Sequence, residues 1–382
     1  MPDGPGQCQA AHASAAEGAT RLTLPAAADT VMRDTRGGQL DEFIRGLPKC
    51  ELHVHLEGTL EPAMARAFAV RHGAHTGEAD VGDRPRTFSG LSDFLAAYYS
   101  AMQGLQAEDD FYELTTEYLE TARRQGVVYA EMFFDPQAHT ARGVPFGAVV
   151  TGIHRAEEEA RERGGPETAL VMCFLRDESP ASAANTLEAS LPFKERGWIL
   201  GVGLDSDERG HPPAEFAGVF ADARAAGYRL TMHCDPRQED SVAHLWQCLD
   251  LIGVERIDHG LECVADASLT EEIARRRIGL TACPLSNLRL YGTLMADAVT
   301  ELLARGVLVT VNSDDPAYFG GYIADNFAAL QDEARLSRAD LARLAGHGFE
   351  ASWLTSARKQ RYVAAVDDYL QAAAPSGAFR AR

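Results

Sequence analysis

Three histidines and an aspartate occur at spacings that a metal ion could use. "CELHVHLEG" (50–58) places His53 and His55 two residues apart, so on an extended chain both imidazoles point to one face. "YRLTMHCD" (228–235) carries His233 near its end, and "VLVTVNSDDP" (307–316) carries Asp314. Three ring nitrogens and one carboxylate oxygen suit zinc, with room left for a water whose pKa the metal lowers towards neutrality. In "ERIDHG" (255–260), His259 titrates near neutral pH and could orient and deprotonate that water. Glu57 lies two residues past His55 and shares its face, where it could hold substrate. An acid is equally welcome there as the start of a helix. Each residue alone has a plainer explanation. A single strand histidine is more often a hydrogen-bonded core residue, and an Asp before Pro commonly caps a turn or helix. Four ligand types at the ends of four strands favour the metal.

The elements that must position them alternate. Eight apolar runs rich in β-branched or aromatic residues recur: those above, "VVYAEMFFD" (127–135), "ETALVMCFLRD" (167–177), "WILGVGLDSDE" (198–208) and "GLTACPLSN" (279–287). Helical patterns fill the gaps. "EDDFYELTTEYLETARRQG" opens on acids and closes on Gly126, and "PPAEFAGVFADARAAG" opens on Pro and closes on Gly227. Strands alternating with helices imply parallel pairing. The expected fold is therefore α/β, a (β/α)8 TIM barrel spanning 39–372, with a helical insertion near 59–125 after the first strand. A doubly wound open sheet is the alternative. It lacks support because no GxGxxG follows a strand, while polar residues gather at the C-terminal strand ends, where a barrel keeps its active site. Those residues include Asp135, Asp205, Ser206, Asp235, Asp258, Ser286, Asn287 and Asp315. Residues 1–38 and 373–382 show no sustained periodicity and read as tails.

Composition narrows the partners. Lys and Arg number 36 against 56 Asp and Glu, a formal net charge of −20 at pH 7. That surplus repels phosphate backbones and anionic lipid, so a small molecule is the expected partner, with no nucleic acid and no membrane. The seven cysteines form no CxxC pair, which argues against a disulfide framework or a cysteine-zinc site and suits a reducing cytoplasm. No apolar stretch is long enough to span a bilayer, and the first twenty residues lack a signal-peptide h-region. The remaining histidines, His139 among them, fall in loops or helical stretches and receive no role.

Taken together, "LPKCELHVHLEGTLEP", "RIDHG", "CPLSN" and "VNSDDPAYF" resemble the signature blocks of the adenosine/adenine deaminase family of the amidohydrolase superfamily, in order from about residue 45 to 360. The resemblance implies one zinc ion on His53, His55, His233 and Asp314, hydrolytic replacement of the amine at C6 of a purine, His259 activating the hydroxide, and Asp315 contacting N7. The stretches around 94–146 and "GVGLDSDERGHPPAEF" look like the adenine branch, which acts on free bases. Ser206 stands where nucleoside deaminases tend to have glycine, and it occupies space near the base. One block departs from the pattern. The family reads His-Ala-Gly-Glu at the fifth strand, with the glutamate protonating N1, whereas this chain reads His233-Cys234-Asp235-Pro236. Asp235 is the expected surrogate acid and Glu239 the rival. The altered strand also favours an N6-substituted adenine such as isopentenyladenine over plain adenine. An adenosine deaminase, or a silent purine-binding barrel, is the alternative.

Overall fold

The computed structural model of the chain describes residues 35–74, 88–234, 238 and 240–373. Asp235 and Glu239, the two carboxylates expected to compete as proton donor, lie outside the described residues, as does most of both expected tails. The helix α1 (Thr35–Gly46) overlaps the end of the first of those tails.

Eight strand positions follow one another in parallel. They are β1 (Lys49–Glu51), β2 (Val127–Phe134), β3 (Glu167–Leu175), β4 (Ile199–Asp205), β5 in two pieces (Arg229–Leu230 and His233–Cys234), β6 (Arg256–His259), β7 (Gly279–Ala282) and β8 (Leu308–Val311). Each pairs with its sequence neighbour. The break in β5 is bridged by backbone bonds, Thr231 to the Val202 carbonyl at 3.0 Å and Asp258 to the Met232 carbonyl at 2.9 Å. The last strand returns to the first through a parallel bridge between Val54 and Asp314. There the Asp314 amide donates to the His53 carbonyl and the His55 amide to the Asp314 carbonyl, both at 3.0 Å. The α/β barrel expected from the alternation is thus the fold.

β2 and β3 are rich in Val, Met, Phe and Tyr and are buried along most of their length, as strands covered on both faces must be. Among the described residues between β1 and β2 run the α-helices α2 (Pro62–His72), α3 (Leu91–Ala101) and α4 (Glu108–Arg124). Acids fill the first turn of α4 and Arg123 and Arg124 its last, complementing the helix dipole, while Asp110 accepts the Ala107 amide at 2.8 Å. Gly126 ends it at φ +80, and a Cβ there would meet the Arg45 carbonyl oxygen at 2.4 Å, so glycine is required. The helix α3 buries Phe94 and Tyr98 and supplies one wall of the pocket at the C-terminal strand ends.

Candidate metal centre and active site

Four ligand atoms converge at the strand ends. His53 Nε2 lies 3.1 Å from Asp314 Oδ1 and 3.1 Å from His233 Nε2, His55 Nε2 lies 3.2 Å from His233 Nε2, and His55 Nε2 lies 3.5 Å from Asp314 Oδ1. All four residues are buried. A metal ion with bonds of about 2.0 Å at tetrahedral angles has ligand-to-ligand edges of about 3.3 Å, and these four spacings lie near that length; the three histidines form one mutually close group, which Asp314 joins through His53 and His55.

The outer ring nitrogens explain why the inner ones point inward as acceptors. His233 Nδ1 donates to the Leu204 carbonyl at 3.1 Å, and His55 Nδ1 faces Asp205 Oδ2 at 3.5 Å, so each ring keeps its proton on Nδ1 and presents a bare Nε2. His53 Nδ1 is 2.7 Å from Thr281 Oγ1. Without a cation between them, the facing lone pairs of His55 and His233 repel. The donor set therefore fits a divalent metal on chemistry as well as spacing. Burial drives the pKa of His55 down to about 3 and that of His233 well below its ordinary value, which keeps both rings neutral, the form a metal ion would need.

Asp258 stabilises this shell from below. It is fully buried, accepts the Thr231 hydroxyl at 2.6 Å, and sits 3.6 Å from His233 Nδ1. His259 stands beside the cluster, with Nε2 3.9 Å from Asp314 Oδ2, and its amide donates to Thr281 Oγ1 at 3.1 Å. Burial, and the neighbouring His53, lower its pKa to about 4, so the ring is neutral at pH 7.

Backbone strain gathers here. Ser206, His259 and Asp314 hold φ of 73, 60 and 63, a left-handed conformation that non-glycine residues rarely adopt. Each such residue costs on the order of 1–3 kcal/mol and persists where the surrounding structure demands it. Positive φ at Ser206 explains why a glycine would suit this position. The serine instead places Oγ where the Tyr99 hydroxyl, from α3, donates to it at 2.9 Å.

The pocket at the histidine cluster is lined by the apolar Leu91, Phe94, Leu95 and Phe319 and by the polar Asp135, Asp205, Ser206 and Asp315. Asp315 follows Asp314 and precedes the helix Pro316–Phe319, yet its side chain makes no cap bond there and instead lies against the Asp314 carboxylate. Gly58 brings the first loop against it, since a Cβ at Gly58 would stand 2.1 Å from Asp315 Oδ1. Burial, and then Asp314, raise the pKa of Asp315 well above the usual carboxylate range, which favours its protonated form.

Glu57 goes elsewhere. It begins a tight turn (Glu57–Thr59), and its Oε1 accepts from His139 Nε2 at 2.8 Å and from the Asp135 amide at 3.1 Å. His139 Nδ1 in turn accepts from Arg142 Nη2 at 2.7 Å. Glu57 is therefore bound to a histidine that sequence reasoning set aside, and it shapes the pocket through the backbone of Asp135. The signal for His139 was too thin to find, because its partner lies 82 residues away. Behind β5, the buried Arg176 donates to the His233 carbonyl at 2.9 Å and faces Glu208 at 3.5 Å.

Residues 48–369 match the family model described as adenosine deaminase. The chain is 45% identical over 336 residues to an adenine deaminase of Hahella chejuensis, covering 87% of this chain and 99% of that one. A crystal structure of an adenine deaminase from Arthrobacter aurescens superposes with a TM-score of 0.79 at 38% identity, over 85% of this chain and 99% of that one. An amidohydrolase from Burkholderia ambifaria, solved with bound Zn, gives a TM-score of 0.80 at 25% identity, over 91% and 96% of the two chains.

Proposed function

Because the chain belongs to the adenosine deaminase family, we propose that it hydrolyses free adenine to hypoxanthine and ammonia with one zinc ion held by His53, His55, His233 and Asp314. The observation that carries this reading is the buried group of His53, His55 and His233, with Asp314 3.1 Å from His53, at a pocket that His259 and Asp315 also line. When bound, zinc supplies the Lewis acidity that ionises water near neutral pH.

The protein's own groups do the rest. Water adds to C6, the ring nitrogen N1 takes up a proton, and the amine departs as ammonia. His259, neutral and beside the cluster, is placed to take the proton from the attacking water. Asp315, in its protonated form, donates to N7 and orients the ring. Asp235 delivers the proton to N1 in place of the glutamate usual at Pro236, and Glu239 is its rival. Ser206 and Tyr99, joined across the pocket, take up volume that a sugar would need, which supports a free base over a nucleoside.

The relatives' names support plain adenine. N6-substituted adenine belongs to the proposal as a second substrate, because the apolar wall of Leu91, Phe94 and Leu95 suits an alkyl group on the amine. No helix among the described residues is long and apolar enough to cross a membrane. The described cysteines are free thiols, which suits the cytoplasm proposed as its location.

The test compares adenine, N6-isopentenyladenine and adenosine as substrates of the zinc-loaded protein. The proposal expects adenine to exceed adenosine by orders of magnitude. Equal or faster turnover of adenosine contradicts the free-base reading, and no turnover of any 6-substituted purine contradicts the enzyme reading.

A further inference from the structure

We infer that the Thr281 hydroxyl is a positioning group that couples the metal ligand His53 to the base His259, an inference that deepens the metal-dependent reading above and rests on it. Thr281 lies on β7, fully buried, directly opposite Asp258 in the parallel register with β6. Residues opposite one another in register share a face of the sheet, and both of these meet the histidine cluster.

Three groups surround this one oxygen. His53 Nδ1 lies 2.7 Å from it, the His259 amide nitrogen 3.1 Å and Asp258 Oδ1 3.5 Å. A hydroxyl has one proton to donate and two lone pairs with which to accept. The backbone amide of His259 can only donate, so it takes one lone pair. The Asp258 carboxylate, anchored at its other oxygen by the Thr231 hydroxyl at 2.6 Å, is an acceptor and faces the proton. The second lone pair is left for His53. That keeps the ring hydrogen on Nδ1 and presents a bare Nε2 towards His233 and Asp314. Reversing the hydroxyl would put the hydrogen on His53 Nε2, where it blocks a metal ion, and would turn a lone pair on Asp258.

The same oxygen holds the base. His259 has a φ of 60 and Gly260 after it a φ of 73, so the chain leaves β6 through two left-handed residues. The amides on either side of His259 bond to β5, Asp258 to the Met232 carbonyl at 2.9 Å and Gly260 to the Cys234 carbonyl at 3.1 Å. The His259 amide between them turns the other way, onto Thr281 Oγ1. A backbone conformation this unfavourable persists where the surroundings over-determine it, and this bond is a restraint from the β7 side. The two imidazoles follow their anchors, meeting edge to face with centroids 4.6 Å apart at 62°. One hydroxyl thus sets the tautomer of a ligand and the backbone of the base.

The test compares wild type, Thr281→Val and Thr281→Ser in zinc affinity, by competition with a chelating dye, and in kcat and KM on adenine at saturating zinc. Valine keeps the branched shape and removes the hydroxyl, whereas serine keeps the hydroxyl and removes the methyl. In Thr281→Val zinc is expected to bind about 10–100-fold more weakly. Its kcat at saturating zinc is expected to fall about a hundredfold with KM little changed, the cost of a base misplaced by about 1 Å. Thr281→Ser is expected to lie nearer to wild type than to Thr281→Val in both measurements. Equal losses in the two variants assign the effect to packing and overturn the inference. A loss in only one of the two measurements also overturns it, because the coupling requires both. Wild-type zinc affinity and kcat in Thr281→Val overturn it with the parent reading intact, whereas adenine left untouched by zinc-loaded wild type overturns the parent reading itself. Should Thr281→Val fail to fold, Thr281→Ala takes its place in the same comparison.

Discussion

The carboxylate of Glu57 and the imidazole of His139 meet at 2.8 Å, both fully enclosed, at the junction of the first loop and the end of the second strand. Glu57 follows His55 by two residues, and His139 follows Asp135 by four, so this one contact ties the loop after the first strand to the pocket wall. Burial works to raise the pKa of Glu57, but its hydrogen bonds, that of His139 first, outweigh it and the carboxyl is held below its ordinary value. Replacing His139 with Ala strands that charge. Removing one partner of a buried pair costs about 3–5 kcal/mol, so chemical denaturation of His139→Ala should show a loss of that size with metal content preserved. A loss under about 1 kcal/mol contradicts the role given to the pair.

His233→Ala should lose the metal. Its Nε2 lies within 3.2 Å of both other histidine ligands, and removing it leaves two nitrogens and a carboxylate. Elemental analysis after dialysis should show metal well below one ion per chain, and full occupancy contradicts the ligand assignment.

Gly58→Ala probes the approach of the first loop to Asp315. The added methyl would fall 2.8 Å from the Asp315 Cα as well as on its carboxylate, so rotating the side chain away does not relieve it. The expected outcome is a fall in kcat/KM of about a hundredfold or more with metal retained, because a misplacement of about 1 Å costs that much. Wild-type kinetics in this variant contradict the contact.

How much of this was legible in the chain depended on the range of each interaction. His53, His55, His233 and Asp314 stood out because strand ends are marked locally by apolar runs, and the barrel then forces those ends together. Their strands are less regular than the pattern promised. β1 ends at Glu51, and the backbone of His55 bonds to Asp314 instead of a continuous ladder. Asp258, which as a sequence pair with His259 could equally have capped a helix, is instead a fully buried acceptor of the Thr231 hydroxyl, 3.6 Å from His233. Asp135 and Asp205 were visible as polar strand ends, but their pairing with each other across two strands has no local signal. The Tyr99–Ser206 bond spans 107 residues, a separation that no local pattern signals.

Acid should destabilise the metal-free protein through its buried histidines. His55 and His259 are held to about 3 and about 4 by burial, below the roughly 6.5 of an unfolded chain. The unfolded state therefore binds more protons in this window. The stability these rings contribute is complete above about pH 6.5 and is lost as pH falls towards about 4. The melting temperature of the chelated protein should fall steadily from pH 7 to pH 4.5, and a flat profile contradicts the neutral, buried state of the rings.

Asp235→Asn should lower the rate on adenine by about two to four powers of ten while zinc content stays near that of wild type, the cost of losing a general acid. An unchanged rate removes Asp235 from the mechanism and moves the proton donor to Glu239, whose Gln variant is then expected to show the loss.

The central claim is that four strand-end ligands make this barrel a metal-dependent hydrolase of free adenine. It is tested most directly by incubating adenine with the metal-loaded protein and measuring hypoxanthine and ammonia. Equimolar formation of the two, abolished by chelation and restored by zinc, is the predicted result. A metal-replete, folded protein that leaves adenine intact contradicts it.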